Sequence, residues 1–178
     1  MSLIQKLFKR KKQANITICG LDKAGKTSVL NYLIYGEPRT TIPTMGMNLN
    51  TINLPKLDLV IHDLGGQEAF RQLWPNINER SDALVYIVDS TDFERFDITK
   101  NIFHEIINTQ IDDEIPVLVL LNKIDIPERM ARAEFMYKFG LLDIQAKIRW
   151  SCYETSAKTG HGLVEAFTSF LHHLEDET

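Results

Sequence analysis

The chain has 178 residues, 44% of them hydrophobic and 25% charged, with a formal net charge of −4, a composition that suits one globular domain with a real core. The charge is uneven: Lys6, Lys9, Arg10, Lys11 and Lys12 put five cations and no acid into the first twelve residues, leaving 15 basic against 24 acidic groups in the remainder, an acidic body that argues against nucleic acid as a partner. Two cysteines make no disulfide framework and fit buried thiols of a reducing, cytoplasmic setting, the five histidines show no zinc-ligand spacing, no apolar run approaches the length of a membrane span, and lysines interrupt any signal-peptide core.

In chain order, Ser2 to Lys12 can form a helix with Leu3, Ile4, Leu7 and Phe8 on one side and Lys6, Lys9 and Arg10 around the other. The pairs Leu3/Leu7 and Ile4/Phe8 give a narrow apolar stripe. Ile16 to Cys19 is a short β-branched strand, followed by a glycine loop and a helix through Ser28–Ile34 that Gly36 stops. Residues 37–44 read as an extended loop. Asn48–Leu54 and Leu57–His62, flanking Pro55 and Lys56, suggest an antiparallel hairpin that Gly65 and Gly66 close off. Ala83–Val88 is a buried strand ending at Asp89, and a helix from Asp97 to Thr109 carries Ile98, Ile102, Phe103, Ile106 and Ile107. Val117–Leu121 is another buried strand. A helix from Glu128 to Tyr137, a strand over Ile148–Tyr153, and a last helix with Leu163, Phe167, Phe170, Leu171 and Leu174 on one face complete the chain. Alternating strands and helices imply an α/β fold, a mostly parallel sheet covered on both faces.

Two stretches carry the chemistry. Gly20-Leu21-Asp22-Lys23-Ala24-Gly25-Lys26-Thr27 lies between the first strand and helix, the context a phosphate-binding loop requires. Its backbone N–H groups cradle phosphate oxygens, Lys26 reaches the β- and γ-phosphates, and the Thr27 hydroxyl, followed by Ser28, holds Mg²⁺. Asn122-Lys123-Ile124-Asp125 follows a buried strand, at the carboxyl end where open sheets bind ligands. Asp125 is a two-point acceptor for the N1–H and exocyclic amine that guanine has and adenine lacks. Together they specify GTP and GDP with Mg²⁺.

At this point the chain resembles a small GTPase, and specifically the ADP-ribosylation-factor (Arf and Arf-like) family, over nearly its whole length. The resemblance rests on Gly20-Leu21-Asp22, Thr41-Ile42-Pro43-Thr44-Met45-Gly46, Asp63-Leu64-Gly65-Gly66-Gln67-Glu68, Leu73-Trp74 and Val88-Asp89-Ser90. Asp22 marks this branch, since other small GTPases usually have glycine there. The resemblance implies a three-layer domain over 13–178, with a six-stranded sheet and one antiparallel edge strand, and a separate N-terminal helix over 1–12. It implies that Thr27 and Thr44 coordinate Mg²⁺ and that Asp63 holds a metal-bound water. The N–H groups of Thr44 and Gly66 contact the γ-phosphate, and Gln67 orients the attacking water. Lys123 packs over the base, Asn122 ties the loops together, and Ser156-Ala157-Lys158 completes the guanine site through the Ala157 N–H.

The implied activity is slow GTP hydrolysis that waits on an activating protein, with an exchange factor and effectors as further partners. An interaction module locked on GTP is the alternative; an ATPase or nucleoside kinase is disfavoured by Asp125. In this family the N-terminal helix docks in the GDP state and is released when the hairpin shifts register, giving reversible contact with anionic membranes in the GTP state. Ser2 stands where many members have a myristoylated glycine, and the chain ends without a cysteine for prenylation, so neither lipid anchor is expected. The positions where members present effector-binding aromatics match Met47, His62 and Ile77. Trp74 is either an anchor on that surface or a core residue.

Overall fold

The computed structural model describes residues 12–55, 57–112, 115–144 and 148–176. Six strands form one sheet in the order β2-β3-β1-β4-β5-β6. They are β1 (Lys12–Cys19), β2 (Met47–Asn53), β3 (Leu57–Leu64), β4 (Ala83–Asp89), β5 (Val117–Asn122) and β6 (Trp150–Glu154). All neighbours run parallel except β2 and β3, so β2 is the antiparallel edge. The expected three-layer α/β fold is the one observed.

Helices cover both faces because the central strands are apolar on both. In β4, Ala83, Val85 and Ile87 join the core cluster beneath α1 (Lys26–Tyr35) and α6 (Leu163–Asp176), where Val29, Leu30, Leu163, Ala166, Phe167, Phe170 and Leu174 are buried. The alternate residues Leu84, Tyr86 and Val88 enter the opposite cluster with Phe103, Ile106 and Phe139. These last three come from α4 (Phe96–Thr109) and α5 (Arg132–Phe139). Strand periodicity of two thus serves two cores from one run of sequence.

Five expectations shift. β1 starts at Lys12, paired with Leu57 of β3, so Lys12 belongs to the sheet and not to the N-terminal helix. The rest of that helix, with Leu3, Ile4, Lys6, Leu7, Phe8, Lys9 and Arg10, lies outside the described residues. α5 starts at Arg132 rather than Glu128, because the Met130 N–H is taken by the Ser90 carbonyl at 2.9 Å and only Phe135 N–H reaches back to Ala131 at 2.9 Å. β6 runs over Trp150–Glu154, set by its register with Val117–Leu121 of β5. Two short helices, α2 (Glu68–Arg71) and α3 (Trp74–Asn78), fill a stretch too brief to show helical periodicity. Ile98 also departs from its expected place on the apolar face of α4; it is exposed, and Thr99 is buried instead, where the Tyr86 hydroxyl donates to its carbonyl at 3.0 Å.

Candidate functional site

The carboxyl ends of β1, β3, β5 and β6 deliver four loops to one side of the sheet. A cleft of about 400 Å³ opens there, lined by Asp22, Lys23, Gly25, Lys26, Thr27, Ser28, Thr44, Gly66, Gln67 and Lys123. Thr41, Ile42 and Pro43 also line it; the sequence pattern flagged these three as family marks but not as site residues.

The phosphate loop is built for an anion. Gly25, at φ +95°, caps α1 without offering a side-chain acceptor, so the first N–H groups of the helix stay available to a ligand. Lys23 is held at φ +65°, a left-handed conformation that is uncommon for a lysine and typical of constrained functional loops. Lys26 is buried, and its ammonium donates to the carbonyls of Gly20 at 3.0 Å and Leu21 at 2.8 Å. Burial pulls its pKa down to about 8, against the opposing pull of Asp63. A phosphate beside Lys26 would add to the counter-charge of Asp63 and favour the desolvated ammonium.

Three oxygens converge at the foot of this loop. The Thr27 hydroxyl donates to Asp63 Oδ2 at 2.7 Å and lies 3.0 Å from the Thr44 hydroxyl, while Thr44 Oγ1 is 3.5 Å from the same carboxylate oxygen. Asp63 is fully buried, which raises its pKa, and its Oδ1 has no hydrogen-bond partner. One carboxylate and two hydroxyls, with a buried oxygen left over, form a hard donor set that fits Mg²⁺ shared with phosphates and water. Among the described residues no cluster of three His, Cys, Asp or Glu offers a competing metal site.

Gly66 comes so close to the phosphate loop that a Cβ on it would strike the Asp22 amide nitrogen and the Lys26 ammonium. Only glycine lets the backbone approach this closely. The Arg71 Nε–H holds the Gly66 carbonyl at 3.2 Å. Gln67 follows at the start of α2 and faces the cleft.

The loops expected to take guanine form a closed network. Asn122 donates to the Ala24 carbonyl at 2.9 Å, and its Oδ1 accepts the Ala157 N–H at 3.1 Å. One buried side chain therefore joins the phosphate loop, its own loop and the Ser156-Ala157-Lys158 loop. The Ser156 hydroxyl donates to Asp125 Oδ1 at 2.6 Å, and Lys158 Nζ lies 4.0 Å from Asp125 Oδ2. Lys123 sits at φ +69° with its ammonium 2.6 Å from Asp89 Oδ2. That pairing, across β4 and β5, was not legible in the sequence.

The four residues expected on an effector surface separate. Met47 and His62 are neighbours, with His62 Nδ1 3.4 Å from Met47 Sδ, and burial lowers the His62 pKa. Met47 is 41% exposed, and Leu49, paired with His62 in the hairpin, is 59% exposed. Ile77 is only partly buried against the second core cluster. Trp74 is no surface anchor: its ring is 2% exposed in that cluster, and its indole N–H is satisfied by the Gly65 carbonyl at 3.1 Å. With the one polar atom bonded, burial gains the full apolar contribution of the ring.

The ADP-ribosylation factor family model matches residues 1–174 of the chain. The chain belongs to that family. Among solved structures it is similar to the Arl6 (BBS3) small GTPase from Trypanosoma brucei with bound nucleotide analogue GppNp, at 25% sequence identity and a TM-score of 0.83, covering 94% of this chain and 100% of that one. This Arf-family chain is thus a GTPase of the P-loop fold. Among the described residues no helix is long and apolar enough to cross a membrane.

Proposed function

We propose that this GTPase is a GDP/GTP switch in which Thr44, Gly66 and the hairpin between them report the γ-phosphate. The reading is carried by one observation: Thr44 and Gly66, just outside the two ends of the β2–β3 hairpin, both line the cleft that holds Lys26. The Gly65 N–H donates to the Gly46 carbonyl at 2.7 Å, tying the two ends together. A ligand contacting both ends biases the position of everything between them, and a bistable hairpin turns that bias into two discrete states.

In this reading Thr27 and Thr44 would hold Mg²⁺ and Asp63 a metal-bound water, and the ion would neutralise phosphate charge. Lys26 and the phosphate-loop N–H groups stabilise the phosphates, Gln67 orients water, and Asp125 with Ala157 selects guanine. Intrinsic hydrolysis of this kind is slow, of order 10⁻⁴ to 10⁻³ s⁻¹ in Ras-like sites, so an activating protein and an exchange factor set the state. The hairpin of the GTP form releases the segment before β1, residues 1–11, whose apolar stripe and cations bind anionic membrane reversibly, each cation adding about 1 kcal/mol near the surface. Effectors read the surface around Met47 and His62.

A single turnover separates this switch from a module locked on GTP. Protein loaded with γ-labelled GTP is expected to release phosphate slowly and to end as the GDP form. Label that stays on the protein as GTP over many hours, with nucleotide still bound, would favour the locked module.

A further inference from the structure

Asp22 poses an electrostatic problem. It places a carboxylate on the loop that cradles phosphates, lining the same cleft as Lys26 and Gly66, where it repels an anionic ligand. The structure contains a device that answers this. Arg95, from the turn between β4 and α4, donates from Nη1 to Asp22 Oδ1 at 2.7 Å and from Nη2 to the Asp22 carbonyl at 3.2 Å. Its Nε donates to Asp92 Oδ2 at 2.7 Å, and its own N–H to Asp92 Oδ1 at 3.2 Å. The guanidinium is therefore oriented by Asp92 before it meets Asp22. Both partners are partly shielded, with Arg95 31% and Asp22 30% exposed.

We infer that Arg95 is a positioning residue for the nucleotide: it neutralises Asp22 and fixes its carboxylate and carbonyl, so that a phosphate loop carrying an acid can hold a triphosphate. Two features favour this over a purely structural tie. The planar fork grips both a side chain and a backbone atom of the same loop residue, a geometry lysine cannot reproduce. The charge it cancels is the one that opposes the ligand. The same turn also supports the guanine loop, since Asp89 holds Lys123 and the Ser90 N–H reaches the Asn122 carbonyl at 2.9 Å.

The inference rests on the switch reading and predicts a specific pattern of nucleotide release. Arg95→Gln leaves the Asp22 charge uncompensated, so its effect grows with ligand charge. Release of a fluorescent non-hydrolysable GTP analogue is expected to accelerate on the order of tenfold, and release of fluorescent GDP by less than about threefold. Adding Asp22→Asn to Arg95→Gln removes the stranded carboxylate and is expected to recover most of the lost analogue retention. Arg95→Lys keeps the charge without the fork and falls between wild type and Arg95→Gln, a second variant should the glutamine protein fold poorly. Equal acceleration for both nucleotides, no acceleration, or a double variant no better than Arg95→Gln would each overturn the assignment. A wild-type chain that retains neither nucleotide would instead remove the switch reading beneath it.

Discussion

Asp125→Asn is expected to lose most of its affinity for GDP and GTP and to gain affinity for xanthine nucleotides. In the proposed complex the wild-type carboxylate would accept two hydrogen bonds from the guanine edge, both charge-assisted. Removing the charge from such a pair costs about 2–5 kcal/mol, or roughly 30- to 5,000-fold in dissociation constant. Xanthine carries a 2-carbonyl where guanine has its amine, so the side-chain amide introduced in place of the carboxylate can donate to it. Asparagine suits this test better than alanine because it keeps an oxygen to accept the Ser156 hydroxyl, which in the wild-type chain donates to Asp125 Oδ1 at 2.6 Å. The loop that carries Ala157 therefore stays in place. Competition of labelled GDP by unlabelled GDP and by XDP reads both halves at once. A variant that still prefers GDP would show that guanine is recognised elsewhere in the cleft.

Gln67→Leu is expected to leave nucleotide binding intact and to abolish most assisted hydrolysis. Gln67 faces the cleft directly after Gly66, and leucine matches its size without the amide that orients water. In Ras-like sites a partner accelerates hydrolysis by about 10⁵-fold, and most of that gain depends on a correctly placed water. The chain supplies no free arginine for this role from the turn nearest the phosphate loop. Arg95 is engaged by Asp22 and Asp92, and in the proposed mechanism the stabilising arginine is expected from an activating protein. Single-turnover phosphate release with and without a family activating protein measures the effect. An undiminished assisted rate would remove Gln67 from the mechanism.

The parts of the site that were legible in the sequence are those set by local spacing. The phosphate loop and the Asn-Lys-Ile-Asp loop each need a fixed order of residues within one turn, and each follows a strand whose apolar run is plain. The family resemblance, not spacing, implies that Asn122 ties loops together, and it bonds both Ala24 and Ala157. Pairings between distant segments left no such trace. Asp22 and Arg95 lie 73 positions apart, and Lys123 follows β5 while Asp89 ends β4, so only the order of strands in the sheet brings them together. Trp74 shows the same limit from the other side. Its composition suits a surface anchor or a core residue equally, and the choice is made by the Gly65 carbonyl, which satisfies its indole N–H. The start of β1 was missed because Lys12 and Gln13 lack a strand's apolar pattern; their place is set by backbone pairing with Leu57 and Asp58.

Control of the segment before β1 by the nucleotide state is read out by vesicle binding. Full-length protein and protein lacking residues 2–11, which keeps Lys12 for β1, are each loaded with GDP or a non-hydrolysable GTP analogue and floated with phosphatidylserine-rich vesicles. Only the full-length, analogue-loaded protein is expected to float, and raising the salt should release it. Equal flotation of the full-length protein in both nucleotide states, or flotation that survives the deletion, would contradict that control.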